Sequence, residues 1–171
     1  MDSPPYHPQY FTATILDWKH LLKPDKYKDI IIKSLQFLVK EKRIELNAFV
    51  IMSNHIHLIW QIQPGHKKES VQRDFLKYTS QTIKRDLELN HPEVLKFFQV
   101  GAKDRKYQLW QRSPLSIDLW TKEVFIQKMD YIHNNPVTAG ICSYPEKYKY
   151  SSAKFYETGN DEFGILTHWA T

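Results

Sequence analysis

The run HIHLIWQIQ at residues 55–63 constrains this chain more than any other segment. Ile56, Leu58, Trp60 and Ile62 alternate with His55, His57, Ile59, Gln61 and Gln63. Side chains two apart share one face of a strand, so this pattern predicts a strand with one apolar face and one carrying two imidazoles. The apolar face belongs under helices, and the histidine face is the working or open side. Such a strand needs neighbours. YFTATILDW at residues 10–18 and IELNAFVIM at 44–52 supply them, both rich in β-branched and aromatic residues. Ser53 and Asn54 form a tight connection between the second strand and the third.

Between and after these strands the period changes. Residues 27–43 read as a helix, with Tyr27, Ile31, Leu35 and Leu38 at helical spacing and lysines opposite. Residues 69–89 read as a second helix on which Arg73, Lys77 and Lys84 form a basic stripe. Residues 90–105, with Pro92 and Gly101, read as a loop, and 107–120 hold strand-like pieces broken at Ser113-Pro114. Thr121 is suited to cap a last helix running to about residue 134, which Pro136 and Gly140 should end. The order predicts an α+β, ferredoxin-like antiparallel sheet with helices on one face and an added C-terminal helix. The expected organisation is a flexible lead over 1–9, a single domain over 10–156 and a tail over 157–171. Trp110 and Trp120 are expected in the core.

Composition narrows the function classes. A chain of 171 residues fits one domain and can bury an adequate core without staples. Cys142 is the only cysteine, which excludes an intramolecular disulfide and a multi-cysteine zinc site and fits a reducing, cytoplasmic setting. The uncharged stretch 46–66 is too rich in Asn, His and Gln to cross a membrane, so no membrane association is expected. A net charge of +5 is compatible with a polyanionic partner.

Two constellations can carry chemistry. His55 and His57, at i and i+2 on one strand, point the same way and can share a divalent cation; the alternative is a pair of half-buried polar residues. Tyr131 lies in MDYIHNNP, where Asn135 falls one helical turn later on the same face and Gln127 and Lys128 one turn earlier. Phe125, Met129 and Ile132 form a separate apolar stripe, so Tyr131 is turned toward other polar groups. The alternative here is a surface tyrosine near a helix end. The tail from Tyr144 to Tyr156 interleaves aromatics with lysines; it serves either strand stacking or, the stronger reading, packing onto the sheet.

The words AFVIMSNHIHLIW and KMDYIHNNPVTAG, in this order, resemble the single-tyrosine HUH transposases, which include insertion-sequence enzymes and REP-associated tyrosine transposases. DFLKYTSQTIKRDL is similar to that family's basic helix and YKYSSAKFY to its aromatic tail, so the resemblance spans residues 10–156. It implies that His55 and His57 are a metal pair, that Asn135 stands where relatives carry a polar third ligand, and that Tyr131 is the nucleophile. Ser53 stands where the family usually has proline, and Asn135 is shorter than the Gln of some members. The implied activity is a metal-dependent DNA transposase that cuts and rejoins single-stranded DNA through a 5′-phosphotyrosine intermediate at hairpin-marked ends. The implied cofactor is Mg or Mn and the implied assembly a homodimer. Arg73, Lys77, Lys84 and Lys128 are the candidate nucleic-acid contacts. The competing readings are an inactive nucleic-acid-binding module of the same fold and an HUH nickase or replication initiator.

Overall fold

The computed structural model describes residues 7–171. Its elements are β1 (Gln9–Thr14), α1 (Asp25–Lys40), β2 (Ile44–Ile51), β3 (His55–Ile62), α2 (Lys68–Asn90), α3 (Pro92–Leu95), β4 (Leu115–Asp118), α4 (Lys122–Thr138) and α5 (Ala153–Thr158). The four strands form one sheet in the order β2-β3-β1-β4, antiparallel at every pairing. This is the expected ferredoxin-like arrangement, with β1 and β3 at its centre.

The alternation in β3 divides the molecule. Ile56, Leu58, Trp60 and Ile62 are buried in the main core with Tyr27, Ile31, Leu35 and Leu38 of α1 and Val71, Phe75, Ile83 and Leu87 of α2. Trp60 anchors that layer, its ring 4.9 Å from Phe11 and 5.7 Å from Phe75. β2 reaches the same face by an irregular route. A bulge between Leu46 and Ala48 shifts the register, so that Leu46, Phe49 and Ile51 all enter the main core although two of them differ in parity from the first. The bulged Asn47 is held by its own contacts: its amide donates to Thr167 O, and its carbonyl accepts from the Tyr156 hydroxyl.

On the second face α4 lies across β2 and β3. Phe125, Met129 and Ile132 pack on Tyr10, Ala48, Val50 and Ile59 in a smaller cluster. The cap at the start of α4 is as expected, with Val124 N–H donating to Thr121 Oγ1. Its end comes about one turn later than expected: the helix passes through Pro136, which is buried, to Thr138, and of the two expected terminators it is Gly140 that closes it. Gly140 N–H bonds Val137 O and Ile141 N–H bonds Pro136 O, a closed C-terminal turn that needs φ of 76° at Gly140. A proline in the last turn loses one helical bond, and this turn reuses its carbonyl as an acceptor.

Two other expectations change. The loop predicted over 90–105 contains α3, with Pro92 at its first turn, where a missing N–H costs nothing. Trp120 is 66% exposed, since Leu119 takes the inward position beside it; Trp110 is in the core as expected. The segment read as a tail packs: Ile165 is buried and Leu166 bridges Leu46. Of the lead expected over 1–9, residues 1–6 lie outside the described residues, while the His7 ring lies tilted against Trp120 and Gln9 opens β1.

Candidate metal and tyrosine site

The site forms where β3 passes beneath α4. His55 and His57 project from the face opposite the main core, their ring centroids 4.8 Å apart. α4 presents Tyr131 to them, and its ring stands edge-on to His57 at 5.5 Å. One turn further along α4, the Asn135 side chain faces His55, close enough to act on its imidazole. The four residues singled out from two distant motifs therefore meet within one chain. Tyr131 is 55% exposed, so its phenol is open to a large ligand.

The surroundings hold both imidazoles in place. His55 Nδ1 lies 2.7 Å from Asn54 Oδ1, an acceptor, so Nδ1 carries the proton and the lone pair is on Nε2. His57 Nδ1 lies 2.9 Å from the Tyr10 hydroxyl and 2.8 Å from that of Thr12, either of which can accept its proton. Fixing one ring nitrogen by a hydrogen bond is how proteins orient an imidazole for metal at the other. Burial keeps both rings neutral: it lowers the His55 pKa and, with the repulsion that a protonated His55 would add and that of Lys128, pushes His57 down to about 3. Two neutral imidazoles and one amide oxygen are a donor set suited to a divalent ion. Among the described residues no three His, Cys, Asp or Glu side chains converge on a metal position, so a third protein donor would be Asn135.

Lys128, one turn before Tyr131 on α4, has its Nζ 4.9 Å from the centroid of the Tyr10 ring and borders the site. Arg73, Lys77 and Lys84 do not. They lie on α2, across the sheet from the histidines, where Arg73 pairs with Asp74 and Lys84 with Glu88. Tyr148, Tyr150 and Tyr156 pack as structural residues, their hydroxyls donating to Ile51 O, Asp29 and Asn47 O. His133, adjacent in sequence, is buried against Ser152 Oγ at 2.7 Å, and burial pushes it down to about 4.

Tyr10, Thr12 and Asn54 are site residues that sequence reading missed. Tyr10 and Thr12 alternate along β1 on the histidine face, and Thr12 and Thr14 pair directly with His57 and His55. The alternation is visible in YFTAT, but the register that sets it opposite the histidines is not.

No family model matches the sequence, and neither does any curated protein. Solved structures similar to the chain include two transposase-related proteins. One is a REP-associated tyrosine transposase bound to a REP hairpin, with TM-score 0.67 and 17% identity over 100% of this chain and 93% of that one. The other, from Deinococcus radiodurans and provisionally described as a transposase, has TM-score 0.50 and 16% identity over 78% of this chain and 94% of that one. What the chain shares with both, end to end in the first case, is the fold that its histidine and tyrosine motifs led us to expect.

Proposed function

We propose that this protein is a metal-dependent transposase that cuts and rejoins single-stranded DNA through a 5′-phosphotyrosine on Tyr131, at ends marked by hairpins. The observation that carries the reading is the contact of the Tyr131 ring with His57, with Asn135 facing His55 beside it. A structural tyrosine at a helix end has no need of two desolvated imidazoles, each held at Nδ1 by a hydrogen bond. The likeness to a transposase bound to a REP hairpin supports the hairpin preference.

His55, His57 and Asn135 would hold Mg or Mn, which as a Lewis acid draws charge from the scissile phosphodiester. The protein supplies the rest. Asn54, Tyr10 and Thr12 hold the imidazoles in place before substrate arrives. Helix α4 carries the Tyr131 Oη so that it can attack phosphorus from the open side. The P–O3′ bond breaks, the phenol loses its proton, and the departing 3′-oxygen gains one. A second 3′-hydroxyl attacking the phosphotyrosine reverses the exchange without an outside energy source. Lys128 is the cation nearest to the site, positioned for a flanking phosphate. One chain supplies all these groups, so a homodimer would not be needed to complete the site.

The test is a covalent adduct. Incubated with Mn and labelled hairpin-bearing single strands, the protein should give a denaturant-resistant protein–DNA species. Tyr131→Phe should abolish it, with stability changed by no more than about 0.5 kcal/mol, as for an exposed side chain. Strands bound but never linked would leave an inactive binding module.

A further inference from the structure

The second face of the sheet is only half covered. α4 lies over β2 and β3, whereas Leu115 and Ile117 of β4, paired with Thr12 and Tyr10, remain exposed. A groove runs along this uncovered half, lined by Thr12, Thr14, Trp18, Gln111, Arg112 and Leu115. Thr14 pairs with His55 across the strands, so the groove begins beside the imidazole pair.

Trp18 is the unusual member. It is 58% exposed, and its ring stands edge-on to His55 at 6.1 Å. Asp17 and Trp18 both adopt left-handed backbone, with φ of 54° and 56°, as does Ser113 at 59° across the groove. Non-glycine residues rarely occupy that region, and two in succession need firm support from their surroundings. The support is there. Asp17 N–H donates to Gln111 Oε1, Leu16 N–H to Leu109 O, Gln111 N–H to Thr14 O, and Trp18 N–H to Ile15 O. Asn54 also donates its amide to Trp18 O, while its Oδ1 accepts from His55. One side chain thus ties the tryptophan's backbone to the metal-pair histidine. Arg112, exposed at the groove, has no ion-pair partner among the described residues.

A large aromatic held out to solvent by strained backbone, beside an unpaired guanidinium, has the chemistry of a single-strand contact: a π-face for a base and a cation for the phosphate. We propose that Trp18 is the stacking platform for a nucleobase next to the scissile phosphate, with Arg112 on the strand's backbone. The inference rests on the single-strand reading above but is tested apart from the chemistry. Trp18 is a specificity and positioning residue here; Tyr131 remains the nucleophile.

The experiment compares two strands of equal charge, fluorescein-labelled dT12 and a twelve-unit abasic deoxyribose-phosphate strand. Binding is measured with EDTA present and at one fixed salt concentration, because phosphate contacts depend on ionic strength. The parent protein should prefer dT12. Trp18→Ala should shrink that preference by about tenfold, within the roughly 5- to 150-fold typical of one stacked base. Trp18→Phe should keep most of it. Arg112→Gln should weaken both strands by the same factor. The inference is overturned if Trp18→Ala leaves the preference intact, if it weakens both strands equally, or if the parent shows no preference. Because no adduct forms in EDTA, a failed adduct assay beside a Trp18-dependent preference would reject the enzyme and keep the platform.

Discussion

The two faces of the sheet are made from the same strands and do opposite work. Under α1 and α2 the inward residues are almost all apolar, and the layer is closed from Ile44 to Ile165. Under α4 the apolar cluster is small, and the remaining positions carry His55, His57, Tyr10 and Thr12 with their hydrogen bonds. One face provides stability and the other holds polar groups that cost stability unless paired. Strand alternation keeps the two apart, so each can be altered with limited damage to the other.

The comparison can be broken on the stable side first. Trp60→Ala removes the aromatic packed on Phe11 and Phe75 and should cost about 3–5 kcal/mol in urea unfolding, near the whole stability of a small domain. Trp60→Phe should cost far less, since the buried indole N–H has no hydrogen-bond partner to lose among the described residues. On the chemical face, His57→Ala should abolish adduct formation. It should lower stability by only about 1–3 kcal/mol, chiefly because the Tyr10 and Thr12 hydroxyls lose their partner. A loss as large as that of Trp60→Ala would mean that the two faces are not separable.

The smallest expected effect lies outside both faces. Asp86 accepts from Lys26 at 2.7 Å and from the Tyr27 hydroxyl at 2.6 Å, which holds its carboxyl down at about 2. A carboxylate with a depressed folded pKa stabilises above its unfolded value, near 4, and this contribution fades as pH falls toward 2. The site is open to solvent, so Asp86→Asn should cost well under about 1 kcal/mol at pH 7. Parent and variant should converge in thermal melts between pH 4 and 2.

Much of this was legible because alternation is strict where it matters. The residues 55–63 announce both the core face and the histidine face, and the spacing of Tyr131 and Asn135 fixes their common side on a helix. β2 was less readable, since the bulge at Asn47 breaks the period that pattern reading relies on. The end of α4 lies about one turn beyond the expected one, because Pro136 is accommodated within the last turn and only Gly140, the other expected terminator, stops the helix. The site's supporting residues were hidden for a different reason. Tyr10, Thr12 and Trp18 lie some forty residues from the histidines they adjoin, and only strand register brings them close.

That register has a last consequence. Ser53 and Asn54 make a two-residue link closed by Met52 N–H on His55 O, and Ser53 is also clasped by His20 and by Leu22 N–H. Adding or deleting a single residue there would rotate β3 by half a period. Both imidazoles would turn into the oily layer while Trp60 swung out into water. The length of this link is therefore constrained twice, once by folding and once by chemistry, and a lineage could not retune one without forfeiting the other.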